Sequence, residues 1–163
     1  MVGKKVVLRR KKRKENGKRG VLAGAADKIL KKMENYGGIV SLNQLKSFSI
    51  LSYPVGFLVH GYGHWIGLYI SKNKVEIMDS SGVLNSTDLP ISLRKFLCAN
   101  FFKKSFFVTP VLQQNNSETC GYYAVVFLAL RLMHKKPLTD FAKLFSRDFR
   151  LNDEIIMKLF DCL

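Results

Sequence analysis

The sequence predicts an α+β fold, a sheet flanked by helices with one cysteine opening a helix. Three observations carry this prediction. Val55 to Met78 is strand-like, broken by a glycine-bracketed turn at Gly61-Tyr62-Gly63 and a polar turn at Ser71-Lys72-Asn73-Lys74. An apolar helix, Gly121 to Met133, follows the polar stretch Gln113-Gln114-Asn115-Asn116-Ser117-Glu118-Thr119, with Cys120 at the junction. Helical patterns precede and follow the strands, and no internal repeat is present.

Taken in order, Met1 to Arg19 is a basic tail and Gly20 to Gly24 a small-residue linker. Residues 1–24 are thus expected to be a disordered basic head and linker, and 25–163 a single domain, which suits a chain of 163 residues. Ala25 to Tyr36 carries Ile29, Leu30 and Met33 at helical spacing, and Gly37-Gly38 would end that helix. Ser41 reads as the N-cap of a short helix through Phe48. His64 to Ile70 and Val75 to Met78 are strands joined by a short turn. Leu89 to Phe102 reads as a helix burying Leu93, Phe96 and Leu97, with Pro90 tolerated early in it. Phe106 to Leu112 is a strand. Thr139 to Phe145 and Asn152 to Phe160 are helices, the second starting at Asn152.

Hydrophobic residues make up 47% of the chain, enough for a core, and no apolar run approaches a membrane span. The basic start lacks the apolar segment of a secretory signal, so an intracellular protein without a membrane partner is expected. Cys98, Cys120 and Cys162 form neither a disulfide framework nor a Cys-x-x-Cys pair, and no metal site is expected. Cys98 and Cys162 read as small buried apolar residues. Residues 1–32 hold 13 of the 27 Lys/Arg but only 2 of the 12 Asp/Glu. The densest block, Arg9, Arg10, Lys11, Lys12, Arg13 and Lys14, followed by Lys18 and Arg19, fits non-sequence-specific DNA binding or a nuclear-localisation signal.

Cys120 stands where the first turn of a helix exposes unpaired N–H groups and positive dipole, which favours the nucleophilic thiolate. Its rival reading is a packed thiol. Gly121 removes bulk beside it. His64 is the leading base. His134 lies about 20 Å along the helix and is excluded, whereas spacing does not exclude His60. Trp65 would shield the base from water. An antiparallel hairpin places Asp79 near the start of the His64 strand, where a carboxylate fixes the imidazole tautomer. Asp79 also suits capping of the turn Ser80 to Gly82. Gln114 is the favoured side-chain amide for an oxyanion hole, beside the Cys120 N–H, and Gln113 is the alternative.

His-Trp, a later strand ending in Asp, the Gln-Gln loop and Cys-Gly together resemble the adenovirus-type cysteine proteases (adenain-like) and the wider SUMO/ubiquitin-like protease superfamily. Gly38-Ile39-Val40-Ser41-Leu42-Asn43-Gln44-Leu45 is similar to the Gly-Phe-Val-Ser-Pro-x-x-Leu stretch of adenovirus proteases, and the resemblance covers residues 37 to 130. It implies a papain-like fold with a central mixed sheet. It also implies His64, Asp79, Gln114 (or Gln113) and Cys120 as the catalytic set, with Trp65 and Gly121 touching substrate. Asp79 is like the SUMO proteases, since adenovirus proteases commonly use Glu. Gln113 has the adenovirus spacing to the cysteine and Gln114 the SUMO-protease spacing.

The resemblance further implies a monomeric viral endopeptidase of host nucleus and virion that cleaves precursors after Gly in Leu/Met/Ile-x-Gly-Gly-like sites. It implies DNA as activator, a possible peptide cofactor, and no small-molecule or metal cofactor. Leu22-Ala23-Gly24-Ala25-Ala26 is similar to such a site and suggests self-cleavage of the head. The alternatives are a deconjugase for ubiquitin-like modifiers and an inactive, basic DNA-binding core protein on the same fold.

Overall fold

The computed structural model describes residues 18–82, 88–115 and 117–163, with side chains of the first helix described from residue 23. The basic block Arg9 to Lys14 lies outside the described residues, as do the side chains of Lys18 and Arg19.

The chain runs α1 (Lys18–Leu30), β1 (Tyr36–Ser41), β2 (Val55–Gly61), β3 (His64–Ile70), β4 (Lys74–Met78), α2 (Ile91–Phe101), β5 (Ser105–Val108), α3 (Cys120–His134), α4 (Leu138–Ala142) and α5 (Phe149–Asp161). The five strands form one mixed sheet in sequence order. β2, β3 and β4 are an antiparallel meander, while β1 pairs β2 and β5 pairs β4 in parallel.

Alternation along the strands sends side chains to both faces, and both faces are buried. Trp65, Tyr69, Leu58 and Met78 pack under α3 with Ala26, Leu30, Phe141 and Ile156. Phe57, Ile66, Leu68, Ile70, Val75 and Ile77 pack with Leu93, Phe96, Leu97 and Phe101 of α2. α3 is apolar all round because it is buried all round, from Cys120 to Leu132. It lies close on β3 because Gly67 has no side chain: a Cβ there would sit 3.1 Å from the Ala124 carbonyl oxygen. Among the described residues no helix is long and apolar enough to cross a membrane.

Several local expectations are corrected. Residues 20–24 are helical, not a linker: α1 starts at Lys18, and Leu22, Ala23, Ala25 and Ala26 are helix formers that offset Gly20 and Gly24. The segment Leu22 to Ala26 would therefore have to unwind before any cleavage. Gly37-Gly38 do not end a helix but lie in β1, where Gly38 takes φ 96° beside a register shift. Ser41 ends β1 instead of capping a helix, and only a 3₁₀ turn, Leu45–Ser47, follows. β5 stops at Val108, short of Leu112. Asp148, not Asn152, caps α5, accepting from the Arg150 and Leu151 N–H groups. Cys98 and Cys162 are exposed, since Cys98 falls off the Leu93/Phe96/Leu97 stripe of α2.

Candidate active site

His64 opens β3 directly after a two-residue hairpin turn in which Tyr62 and Gly63 have φ 51° and 80°. Asp79 follows β4, whose register against β3 (Gly67 opposite Met78) brings its carboxylate back to the strand start. His64 Nε2 lies 2.7 Å from Asp79 Oδ1. The Cys120 side chain lies near enough to the same imidazole to act on its charge. Asp79, His64 and Cys120 are therefore gathered in one place, with Cys120 as the first residue of α3.

Asp79 is held from several sides. Its backbone N–H donates to Thr109 Oγ1 at 3.0 Å, and that hydroxyl donates to the Asp79 carbonyl at 2.7 Å. Oδ1 also accepts from the Ser81 N–H at 3.2 Å and from Ser81 Oγ at 2.6 Å. The carboxylate thus both meets His64 and organises the turn, so the two sequence readings of Asp79 coexist. Burial disfavours the charged His64 ring, but the hydrogen bond to Asp79 and the nearby Asp79 and Cys120 side chains outweigh it and raise its pKa from 6.5 to about 10. That shift favours the imidazolium form at neutral pH.

The two glutamines differ in burial: Gln113 is buried, whereas Gln114 is exposed. Gln113 Oε1 accepts from Ser80 Oγ, its backbone N–H donates to the Ser80 carbonyl at 3.1 Å, and its Nε2 donates to the Ser117 carbonyl at 3.2 Å. An amide nitrogen carries two hydrogens, so a second N–H of Gln113 remains to point elsewhere. Trp65 is 5% exposed, with its ring tilted 35° to that of His60 and the centroids 4.4 Å apart. Gly121 is buried in the first turn of α3.

Residues that sequence reasoning missed surround this set. Thr109 and Ser81 fix Asp79. Thr119 and Asp153 flank the loop before Cys120, with Thr119 Oγ1 donating to Asp153 Oδ1 at 2.7 Å. Their partners lie 30 to 34 residues away, apart from the Asp79–Ser81 pair, so no local pattern marks them.

The chain is similar to several known proteins. Similar solved structures include a deletion variant of AvrA with IP6 and CoA (13% identity, 88% of this chain and 69% of that one, TM-score 0.50). Others are SUMO protease Ulp1 with its catalytic cysteine oxidised to a sulfenic acid (13%, 85% and 75%, TM-score 0.43) and ChlaDub1 from Chlamydia trachomatis (16%, 90% and 76%, TM-score 0.44). At 13% identity the likeness to AvrA is one of fold alone. No curated protein sequence matches the chain. The family described as the Ulp1 protease family, C-terminal catalytic domain, matches residues 41–159, a span that holds every residue of the hydrogen-bonded set. With that span and this mixed sheet, the chain belongs to the Ulp1 family of cysteine proteases.

Proposed function

We propose that the protein is a cysteine peptidase that cleaves after glycine, with Cys120 as nucleophile, His64 as acid and base, and Asp79 as the carboxylate that orients His64. The observation that carries this reading is the His64–Asp79 hydrogen bond, with Cys120 at the start of α3 close enough to act on the same imidazole. The thiolate attacks the substrate carbonyl, forming a C–S bond and an oxyanion. The His64 imidazolium gives its proton to the leaving amine as the C–N bond breaks. Water, deprotonated by His64, then hydrolyses the thioester and releases the acid and the cysteine. Gln113, not Gln114, is the better oxyanion donor, through the N–H left after its bond to Ser117. The backbone N–H of Cys120, at the first position of α3, has no intrahelical partner and supplies the second donor.

Family membership favours the C-terminal glycines of a ubiquitin-like modifier as the acyl side, with deconjugation as the biological outcome. The net charge of +15 favours a second reading, a viral endopeptidase that matures precursors beside DNA in nucleus and virion, with DNA as activator.

The test is cleavage of a fluorogenic Leu-x-Gly-Gly peptide and of a modifier conjugate by wild-type and Cys120→Ala protein, with and without duplex DNA at low and high salt. Cys120-dependent cleavage, with the conjugate far preferred, supports the deconjugase. Cleavage that rises with DNA only at low salt supports the second reading. Salt-sensitive DNA binding without cleavage of either substrate overturns both.

A further inference from the structure

The loop between Leu112 and Thr119 carries Gln113 and delivers Cys120, yet much of its anchoring comes from α5. Asn152 Nδ2 donates to the Leu112 carbonyl at 3.0 Å. The next residue, Asp153, takes three bonds. Its Oδ1 accepts from Thr119 Oγ1 at 2.7 Å and from Tyr123 OH at 3.1 Å, and its Oδ2 accepts from the Gln114 N–H at 3.3 Å. One carboxylate therefore grips the residue just before the nucleophile and the residue just after the proposed oxyanion donor. The single Tyr123 hydroxyl proton is shared between Asp153 and the Leu112 carbonyl, 3.2 Å away, so the base of the loop is tied to α3 as well.

Two observations separate this carboxylate from an ordinary packing contact. Asp153 is 8% exposed, and no Lys, Arg or His pairs with it among the described residues. A buried charge held only by neutral donors is costly, and a neutral amide would satisfy Thr119 and Tyr123 equally well. What only a second acceptor oxygen provides is the bond to the Gln114 N–H. Burial and Asp153 also push the Tyr123 pKa upward, so its hydroxyl stays a donor to the network.

We propose that Asp153 is a positioning residue for the proposed reaction: by holding Thr119 and the Gln114 N–H at once, it sets the distance between the Gln113 amide and the Cys120 sulfur. This inference rests on the reading of Cys120 and Gln113 given above. It assigns α5, which holds none of the proposed catalytic residues, a part in the oxyanion hole.

Asp153→Asn tests it selectively. Its oxygen still accepts from Thr119 and Tyr123, but its NH₂ now faces the Gln114 N–H, donor against donor. The expected result is a kcat on the Leu-x-Gly-Gly peptide lowered roughly ten- to a hundredfold with KM within about twofold. Iodoacetamide alkylation of Cys120, read by mass on the Cys120 peptide, stays within about twofold of wild type because none of the Asp153 bonds reaches His64 or Cys120. Amide hydrogen exchange speeds up in residues 113–119 and nowhere else. Thr119→Val, which loses the other half of the grip, lowers kcat likewise, and the double variant is no worse than the poorer single one. Unchanged kcat and unchanged exchange in Asp153→Asn overturn the proposal. So does a loss of kcat matched by equal loss of Cys120 alkylation and faster exchange throughout the chain, which marks a purely structural role. If wild type cleaves nothing while Asp153→Asn still frees residues 113–119 alone, the peptidase reading falls and the loop clamp stands.

Discussion

Arg131 Nε donates to Glu76 Oε2 at 2.6 Å, joining the strand that leads to Asp79 to the helix that begins at Cys120. Glu76 is 1% exposed, and its other oxygen accepts from the Leu138 N–H at 2.9 Å. The Arg131 guanidinium lies 4.0 Å over the Tyr69 ring and donates to the Lys135 carbonyl at 3.0 Å. Glu76→Ala leaves that guanidinium buried without its anion and should cost about 3–5 kcal/mol, read by urea unfolding. Replacing both partners with apolar residues of similar size should cost much less. Equal losses for the single and double changes would show that packing, not the charge pair, is what matters here.

His64 carries the clearest pH signature. Because its folded pKa is raised, its stabilising contribution is fully present below about 6.5 and is lost as pH rises through about 10. Ring-proton NMR should find His64 still protonated at pH 8. Asp79→Asn and Cys120→Ala should each shift its midpoint downward. Unfolding free energy of Asp79→Asn should fall less steeply than that of wild type between those two pH values. A wild-type midpoint near 6.5 would show that the ring is not engaged as described.

Gln113→Ala should lower kcat about 10²-fold or more with little change in KM if it is the proposed donor to the developing oxyanion. Gln114→Ala should change kcat less than about threefold, since its exposed side chain can be lost without displacing the backbone that Asp153 grips. Steady-state kinetics on the glycine peptide decides between them. The reverse ranking would restore Gln114.

Tyr62 sits at φ 51° and is 92% exposed at the hairpin tip, so it has strain and little burial. Tyr62→Gly should raise stability by about 1 kcal/mol, seen as a higher Tm. Gly61 is different: a Cβ there would overlap the Leu42 side chain, and Gly61→Ala should destabilise.

Much of this was legible because short hairpins propagate register. Once Ser71 to Lys74 is a turn, Asp79 must return beside His64, and the structure puts 2.7 Å between them. The α2 stripe and the long apolar α3 were legible from periodicity alone. What was hidden depended on partners distant in sequence. Gly37-Gly38 carries the signal of a helix stop, yet Gly37 packs so close to Val55 that a Cβ would come within 2.9 Å of it, a fact of strand pairing. Asn152 has the composition of a cap, but Leu112 and Ser146 claim its amide. Gln113 and Gln114 are equivalent as adjacent polar residues until Ser80 and Ser117 bind one of them.

β5 is one of the two outer strands of the sheet among the described residues, and Phe106, Phe107 and Val108 on it are all at least 36% exposed. An open row of backbone donors and acceptors beside bare aromatic rings is a template on which a second copy of the same segment can dock. Lys103 and Lys104 precede that row, and a protein of +15 repels its own kind at low ionic strength. Solubility is thus governed by counterions: at about 1 M salt the Debye length falls to about 3 Å and the repulsion fades. Light scattering should then show self-association rising with salt and subsiding when Phe107 is replaced by lysine.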